Sequence, residues 1–106
     1  LADNEFFAKM KNSAFLINTA RGDLVDNEAL KNALLSGEIA GAGLDVFTPE
    51  PLEKDNILLD GRLKDKLILT PHIAGITSLT VERIYKNIYE NMQNIACQKE
   101  LKNRVN

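Results

Sequence analysis

Short apolar runs separate the sequence into regular elements. Three such runs cover residues 14–17, 39–46 and 67–69. Continuous apolar runs of this length are typical of strands buried in a parallel sheet. The small residues Gly41 and Gly43 in the second run indicate close packing against a neighbouring backbone. The pattern therefore predicts three buried strands.

Apolar residues at helical spacing predict two helices that flank the first strand. We expect Asp3 or Asn4 to cap a short helix at the start of the chain. We expect Asp26 to cap the next helix, which ends at Gly37 because glycine readily adopts the left-handed conformation found there. The second helix should face a core with an apolar stripe formed by Leu30, Ala33 and Leu34.

A third, longer helix is expected near the end of the sequence. It begins at Thr77 or Ser78 and continues to about Cys97. Before it, Pro49 and Pro51 exclude a helix interior, so an irregular segment is expected up to residue 66. The helix has an apolar stripe that predicts a buried contact, formed by Val81, Ile84, Ile88, Met92 and Ile95.

The order of elements is helix, strand, helix, strand, loop, strand, helix. Strands that alternate with helices form parallel sheets with right-handed crossovers. We therefore predict an α/β fold with a partial Rossmann-like parallel sheet of about three strands and flanking helices. Three strands are few for such a sheet, and the sequence does not begin with methionine. We expect the chain to be a fragment of a larger protein.

Composition places the chain among soluble globular domains. Its 106 residues allow one modest domain, and 44% hydrophobic and 26% charged residues are close to average. A net charge of −2 favours neither nucleic acid nor a membrane surface as partner. A single cysteine, Cys97, excludes a disulfide within the chain, and a single histidine, His72, excludes a His-rich metal site. We expect no metal and a cytoplasmic location.

Four titratable side chains follow the predicted strands at their carboxyl ends. Arg21 follows the first strand, Asp45 ends the second, Glu50 lies just beyond it, and His72 follows the third. Each residue alone has an ordinary explanation as a solvated loop residue or a cap. Ligands bind at the carboxyl edge of open parallel sheets, so the shared placement of the four favours a functional site.

These residue types suit the chemistry of a 2-hydroxy acid. Arginine can bind a carboxylate through two parallel hydrogen bonds. Histidine can exchange a proton near neutral pH because its reference pKa is about 6.5, and a neighbouring carboxylate can orient the imidazole. A carboxylate clamp beside a His–carboxylate pair suits reversible oxidation of a 2-hydroxy acid, with a hydride passing to a nicotinamide.

Three linked segments resemble the NAD-dependent, D-isomer-specific 2-hydroxyacid dehydrogenases. They are AFLINTARG at residues 14–22, GLDVF at 43–47 with EPL at 50–52, and LTPHIAG at 69–75. Their order and spacing resemble the second half of the family's NAD-binding domain, and the resemblance extends to Val105 and Asn106. It implies that residues 1–76 belong to that Rossmann-like domain. Residues 77–106 would form a helix and tail that return to the substrate domain.

The resemblance also implies roles for individual residues. Arg21 would bind the substrate carboxylate, His72 would be the acid and base at the keto oxygen, and Glu50 would be hydrogen-bonded to His72. Asp45 would contact the nicotinamide carboxamide. The implied catalytic residues are Arg21, Glu50 and His72. The implied NAD-binding residues are Thr19, Ala20, Arg21, Asp45, His72 and Gly75.

The family's glycine-rich phosphate loop has no counterpart in this sequence. No trio of glycines forms G-x-G-x-x-G between a strand and a helix. We therefore expect the isolated chain to bind NAD weakly or not at all and to turn over no substrate. We also expect it to expose apolar surface where the missing strands belong, which favours self-association. The expected partners are a small 2-hydroxy or 2-keto acid, the remainder of the same chain, and a second copy in a full-length homodimer.

Three other functions are compatible with parts of the sequence. A non-catalytic binding or regulatory module would keep the fold, but it has no need for Arg21, Glu50 and His72 together. A phosphite or formate dehydrogenase relative would use a related arginine and histidine, whereas Glu50 between two prolines favours hydroxyacid chemistry. A structural protein without a ligand fits least.

Within the family, the segment from Asp45 to Pro51 resembles the glycerate, hydroxypyruvate and phosphoglycerate group more than the fermentative D-lactate group, and the choice between NAD and NADP stays open.

Overall fold

Three parallel strands form the sheet in this computed structural model, which describes residues 1–103. The strands are β1 (Phe15–Asn18), β2 (Gly41–Leu44) and β3 (Leu67–Leu69). Their order in the sheet is β1-β2-β3, with Ile17 paired to Gly43 and Gly43 paired to Ile68. The predicted α/β class with a three-stranded parallel sheet is confirmed.

The boundaries of the strands differ from the predicted ones by a few residues. Strand β1 includes Asn18, whose carbonyl accepts a hydrogen bond from the backbone N–H of Asp45 at 3.0 Å. Strand β2 is shorter than the predicted residues 39–46, because its pairing with β1 extends only from Gly41 to Leu44. The segment predicted to be irregular contains two short 3-10 turns, at Ile57–Leu59 and Gly61–Leu63.

The helices begin and end close to their predicted caps. They are α1 (Asn4–Ala8), α2 (Asn27–Ser36) and α3 (Ser78–Ala96). The side chains of Asp3, Asp26 and Thr77 each accept a hydrogen bond from a backbone N–H in the first turn of α1, α2 and α3, respectively. Helix α2 ends at Gly37 with φ 79°, in the left-handed conformation. The predicted helix starts and the glycine stop are confirmed.

The core lies in the part of the chain that precedes α3. Helix α2 contributes the predicted stripe, and Leu30, Ala33 and Leu34 are at most 1% exposed. These residues belong to one cluster with apolar residues of the sheet and of the 3-10 turns. The largest fully buried side chains are Phe7, Leu30, Leu34, Ile39, Val46 and Leu63.

One face of the sheet is exposed, so the prediction of fully buried strands is wrong for alternate residues. Phe15, Ile17 and Ile68 are 67%, 69% and 70% exposed. Ala42 and Leu44 point to the opposite face and join the core cluster. Successive side chains of a strand point to opposite faces, and the described part of the chain buries only one of them. The other face therefore carries exposed apolar side chains. Apolar surface where missing strands belong stays a prediction.

Helix α3 belongs to a separate compact unit. The chain divides into Leu1–Ala74 and Gly75–Asn106, two residues before the predicted domain boundary. No described residue of α3 is buried, and its apolar stripe is 40–64% exposed. Contact of this stripe with a substrate domain stays a prediction, and Val105 and Asn106 lie outside the described residues.

Within residues 1–103, no helix has both the length and the hydropathy needed to cross a bilayer.

Candidate functional site

The site lies where the three strands end. The sheet register places the ends of β1, β2 and β3 side by side, because Asn18 is paired with Leu44 and Leu44 with Leu69. The turns that follow these strands carry Arg21, Glu50 and His72. All three line one cavity of about 340 Å³. The structure therefore brings the predicted catalytic residues together, as expected for the carboxyl edge of a parallel sheet.

A second cavity shares part of this wall. It has a volume of about 580 Å³, and Phe47, Glu50 and His72 line it as well as the first cavity. The rest of its lining is mostly apolar and consists of Pro51, Leu52, Leu59, Leu69, Thr70 and Pro71. The Glu50 and His72 side chains thus lie between a mainly apolar cavity and one that contains a guanidinium group.

His72 and Glu50 form a hydrogen-bonded pair. The His72 Nδ1 atom lies 2.8 Å from Glu50 Oε2, and the two side chains are 54% and 34% exposed. The hydrogen bond from His72, followed by one from the backbone N–H of Phe47, holds the pKa of Glu50 below its ordinary value. An ionised Glu50 only accepts hydrogen bonds, so Nδ1 carries a proton and Nε2 is left for another partner.

Backbone contacts fix the carboxylate of Glu50. Its other oxygen, Oε1, accepts a hydrogen bond from the N–H of Phe47 at 2.7 Å. The backbone of Phe47 lies against Gly22, where a Cβ atom would be only 2.1 Å from the carbonyl carbon of Phe47. Glycine at position 22 therefore allows the turn after β1 to approach the turn that carries Glu50.

Arg21 lies in the turn after β1. Its Nη1 donates a hydrogen bond to the carbonyl of Ala20 at 2.6 Å, and its side chain lines the cavity with Glu50 and His72. A guanidinium group has five N–H donors, so this single bond leaves donors for a ligand. Thr19 and Ala20, predicted to bind the cofactor, are exposed in the same turn.

Asn18 supports this turn, and sequence reasoning missed it. The side chain is 6% exposed. Its Nδ2 donates to the carbonyl of Arg21 at 2.7 Å, and its Oδ1 accepts from the N–H of Ala20 at 3.1 Å. The available signal was an amide residue directly after an apolar run, where a strand ends. Buried amides of this kind satisfy turn backbone.

Asp45 has a similar position after β2. It is 3% exposed, and Oδ1 accepts hydrogen bonds from the Thr70 hydroxyl at 2.5 Å and from the N–H of Ile73 at 2.9 Å. Oδ2 accepts from the N–H of Ala74 at 2.8 Å. The hydrogen bond from Thr70 is the largest cause that lowers the pKa of Asp45, and the bonds from Ala74 and Ile73 lower it further. The ordinary explanation, a carboxylate that satisfies backbone groups, describes these contacts, and the nicotinamide contact stays a prediction.

Gly75 is the predicted site residue that lies outside the first unit. It begins the second compact unit, Gly75–Asn106. A Cβ atom at this position would meet no atom within 4 Å, so open space surrounds it. Its place in a cofactor pocket stays a prediction.

Comparison with known families supports one assignment for most of the chain. Residues 1–74 match the family model described as "D-isomer specific 2-hydroxyacid dehydrogenase, NAD binding domain". A glyoxylate reductase/hydroxypyruvate reductase of Mus musculus is 54% identical over 80 residues, which are 76% of this chain and 24% of that protein. A glycerate dehydrogenase of Methylorubrum extorquens is 46% identical over 89 residues, which are 84% of this chain and 28% of that protein.

Solved structures share the fold over nearly the whole chain. A D-isomer specific 2-hydroxyacid dehydrogenase of Xanthobacter autotrophicus Py2, in complex with NADPH and MES, has a TM-score of 0.81 and 38% identity. It covers 100% of this chain, which matches 42% of it. The D-lactate dehydrogenase of Lactobacillus jensenii with NAD+ has a TM-score of 0.79 and 34% identity, covering 98% of this chain and 34% of its own. The chain thus spans less than half of these structures and at most 28% of the two relatives above.

Proposed function

Because this chain belongs to the D-isomer specific 2-hydroxyacid dehydrogenase family, we propose that it supplies the substrate-binding and proton-transfer groups of an NAD-dependent enzyme. The enzyme interconverts a D-2-hydroxy acid and the corresponding 2-keto acid. One observation carries the proposal: the hydrogen-bonded pair of His72 and Glu50 lines the same cavity as Arg21. A binding module without catalysis has no need for that combination.

His72 is the proposed acid and base. With Nδ1 donating to Glu50, Nε2 can give a proton to the keto oxygen during reduction and take it back during oxidation. Glu50 accepts a hydrogen bond from the N–H at Nδ1 and so fixes the orientation of the ring. The carboxylate is itself held by the N–H of Phe47. The imidazole therefore needs little rearrangement when the substrate is bound.

Arg21 is the proposed clamp for the substrate carboxylate. Its guanidinium group can form two parallel hydrogen bonds to a carboxylate, which fixes the acid in one orientation. The turn that carries it is anchored by Asn18 and lies against the backbone of Phe47. The reacting carbon would then be held beside His72.

The predicted cofactor-binding residues, among those that the structure describes, suit the nicotinamide end of a dinucleotide. Asp45 accepts three hydrogen bonds, and a carboxylate has about four acceptor positions, so one remains for the carboxamide. Thr19 and Ala20 would line the ring. A bound nicotinamide supplies or accepts the hydride. Within residues 1–103, no group of three His, Cys, Asp or Glu side chains is placed to hold a metal ion.

We infer that the phosphate-binding part comes from outside these 106 residues, since the sequence has no G-x-G-x-x-G. Three glycines have structural positions that are not those of a phosphate loop. Gly37 ends α2, and Gly41 and Gly43 lie in β2. We therefore propose that the isolated chain binds NAD weakly and turns over nothing. Activity would require the remainder of a longer chain, in a homodimer.

The proposed substrates are glyoxylate and hydroxypyruvate with their hydroxy acids. The two relatives described above carry names from this group, and the pattern from Asp45 to Pro51 favours it. Pyruvate is the main competitor, since a D-lactate dehydrogenase is also a structural neighbour. The choice between them would depend on the substrate domain of the complete enzyme.

The test is NADH consumption by the protein translated from the complete reading frame. The panel contains glyoxylate, hydroxypyruvate, pyruvate, 2-ketoisocaproate and phosphohydroxypyruvate, each with NADH and with NADPH. Matched variants are His72→Ala, Arg21→Lys and Glu50→Gln. We expect turnover of hydroxypyruvate that His72→Ala abolishes, while Arg21→Lys mainly raises KM because the ammonium group cannot form two parallel hydrogen bonds.

Two results would change the proposal. A protein that binds NADH but reduces none of these acids would direct the search to phosphite and formate. Binding without turnover of those compounds as well would indicate a non-catalytic module. The 106-residue chain alone serves as the control for the proposed inactivity, and tight NADH binding by it in calorimetry would contradict that part.

A further inference from the structure

The loop that carries His72 has an uncommon backbone. His72 has φ 54°, in the left-handed region that residues other than glycine rarely adopt. Its N–H donates to the carbonyl of Thr70, only two residues earlier, at 3.0 Å. Conformations of this kind persist where the surrounding structure holds them. The loop therefore needs support from outside itself.

That support comes from the buried carboxylate of Asp45. The Thr70 hydroxyl, before His72, donates to it, and so do the N–H groups of Ile73 and Ala74, after His72. One carboxylate at the end of β2 thus anchors the loop on both sides of the imidazole. Hydrogen bonds to a buried charged group are stronger than those at the surface, so this anchor is well suited to hold an unfavourable backbone conformation.

Glu50 is fixed independently of this anchor. Its carboxylate is held by the N–H of Phe47, and neither Thr70 nor Asp45 is bonded to it in the described residues. Loss of the anchor would therefore move His72 while Glu50 stays in place. The contact between the two residues is the quantity that should respond.

We propose that Asp45 is a positioning residue, whose buried carboxylate, with the Thr70 hydroxyl as its partner, fixes the loop at residues 70–74 so that His72 stays in contact with Glu50. The inference rests on the proposed role of His72 as acid and base. It differs from the implied nicotinamide contact of Asp45, because it requires no cofactor and assigns a function to Thr70.

Three variants separate this role from other effects. Thr70→Val removes the hydroxyl while keeping the charge of Asp45 and nearly the shape of the side chain. Thr70→Ser restores the hydroxyl and is the conservative rescue. Asp45→Asn keeps the shape but replaces one acceptor oxygen by a donor that faces other donors. If Asp45→Asn does not fold, the two substitutions at Thr70 still decide the outcome.

The first readout is the titration of Glu50 in the 106-residue chain, followed by carboxyl carbon NMR. The hydrogen bond from His72 is the largest cause that lowers this pKa, so His72→Ala defines the value without the contact. We expect Thr70→Val and Asp45→Asn to raise the pKa of Glu50 most of the way to that value. We expect Thr70→Ser to leave it near that of the unsubstituted chain.

The sign of the shift distinguishes loop release from loss of charge. The negative charge of Asp45 raises the pKa of Glu50, so removing that charge alone would lower the pKa in Asp45→Asn. A rise therefore reports separation of His72 from Glu50. Asn18→Ser is the control for disturbance of the other turn, and it should leave the titration of Glu50 unchanged.

The second readout is steady-state kinetics of the protein from the complete reading frame. We expect Thr70→Val to lower kcat about 10- to 100-fold, since small misplacement of a catalytic group has effects of this size, with a smaller change in KM. Thr70→Ser should restore most of kcat. A rise in KM of about 10- to 100-fold with unchanged kcat would indicate that Thr70 contacts the ligand, and it would overturn the positioning role.

The two readouts separate this inference from the proposed function. Full activity in His72→Ala would overturn the proposed function, whereas the titration would still measure the contact between His72 and Glu50. Unchanged pKa values of Glu50 in both Thr70→Val and Asp45→Asn would overturn the positioning role, whatever the activity of the enzyme.

Discussion

Helices α2 and α3 share a sequence pattern but differ in what surrounds them. Both begin at a side-chain cap, and both have an apolar stripe at helical spacing. In α2 the stripe residues Leu30 and Leu34 are 0% exposed, whereas in α3 Ile84 and Ile88 are 51% and 52% exposed. The pattern thus shows which face of a helix is apolar, and other parts of the protein determine whether that face is covered.

The difference determines how each helix is stabilised. Most helical stability in proteins comes from packing of an apolar face, because isolated helices are marginal in water. Helix α2 has that packing. Helix α3 depends on its caps and on side-chain contacts with the residues that follow it, such as those of Asn91 and Glu90 with Lys102.

Truncation of the two stripes should give the largest contrast. Leu34→Ala should lower the free energy of unfolding by about 2–5 kcal/mol, since it removes buried methyl groups and leaves a cavity. Ile88→Ala should change it by less than about 0.5 kcal/mol, as expected for an exposed position. Urea unfolding followed by circular dichroism measures both. Similar losses for both would show that the α3 stripe is covered in solution.

The sequence predicted the caps of both helices and the buried stripe of α2, but the same apolar spacing did not predict that the stripe of α3 is exposed. Asp26 and Gly37 were identifiable because caps depend on residues a few positions apart. The exposure of the α3 stripe depends on what surrounds the helix, which the apolar spacing within the helix does not describe. The hydrogen bonds of Asp45 join it to residues 70–74, whose proximity arises only when the strands are paired, so no local pattern encodes them. Those of Asn18 are local, to Ala20 and Arg21 in the same turn.

The C-terminal ends of the helices offer a second contrast. Gly37 follows α2 with φ 79°, and a Cβ there would meet no atom within 4 Å. Gly37→Ala should therefore destabilise the first unit by about 1–2 kcal/mol, entirely from the left-handed backbone. Gln98 follows α3 with φ 54°, so Gln98→Gly should instead increase the helicity of α3. Amide exchange of each last turn measures the two effects, and changes of equal sign would contradict the explanation.

Removal of the N-terminal cap should affect global stability in α2 but only the first turn in α3. Asp26→Ala should cost about 1 kcal/mol of global stability because it leaves donors in the first turn of α2 unsatisfied, and Asp26→Ser should recover most of it. Thr77→Ala should weaken only the first turn of α3, seen as faster exchange of the Thr80 amide. A loss of global stability in Thr77→Ala would show that α3 unfolds together with the first unit.

The smallest expected effect is the loss of an ion pair when the pH is lowered. It tests whether α3 loses its ion pair at a higher pH than the first unit does. The Lys102 ammonium, 2.8 Å from Glu90, holds the pKa of that carboxyl below its ordinary value of 4.5. In the first unit, Arg62 and then Lys31 hold the pKa of Asp60 far below its usual range. A depressed pKa stabilises the folded form above the unfolded value, and that contribution is lost as the pH falls through the folded value.

The contact of Glu90 with Lys102 should therefore persist above about pH 4.5, the ordinary value of Glu90, and weaken on further acidification, while the contacts of Asp60 remain. The backbone N–H of Lys102, which donates to Asn91 Oδ1 at 2.9 Å, provides an NMR probe of the first contact. The Arg62 N–H, which donates to Asp60 Oδ1 at 3.0 Å, is the matched probe of the second. Because both ion pairs are partly exposed, added salt should weaken them. Simultaneous loss of both probes would mean that α3 does not respond separately from the first unit.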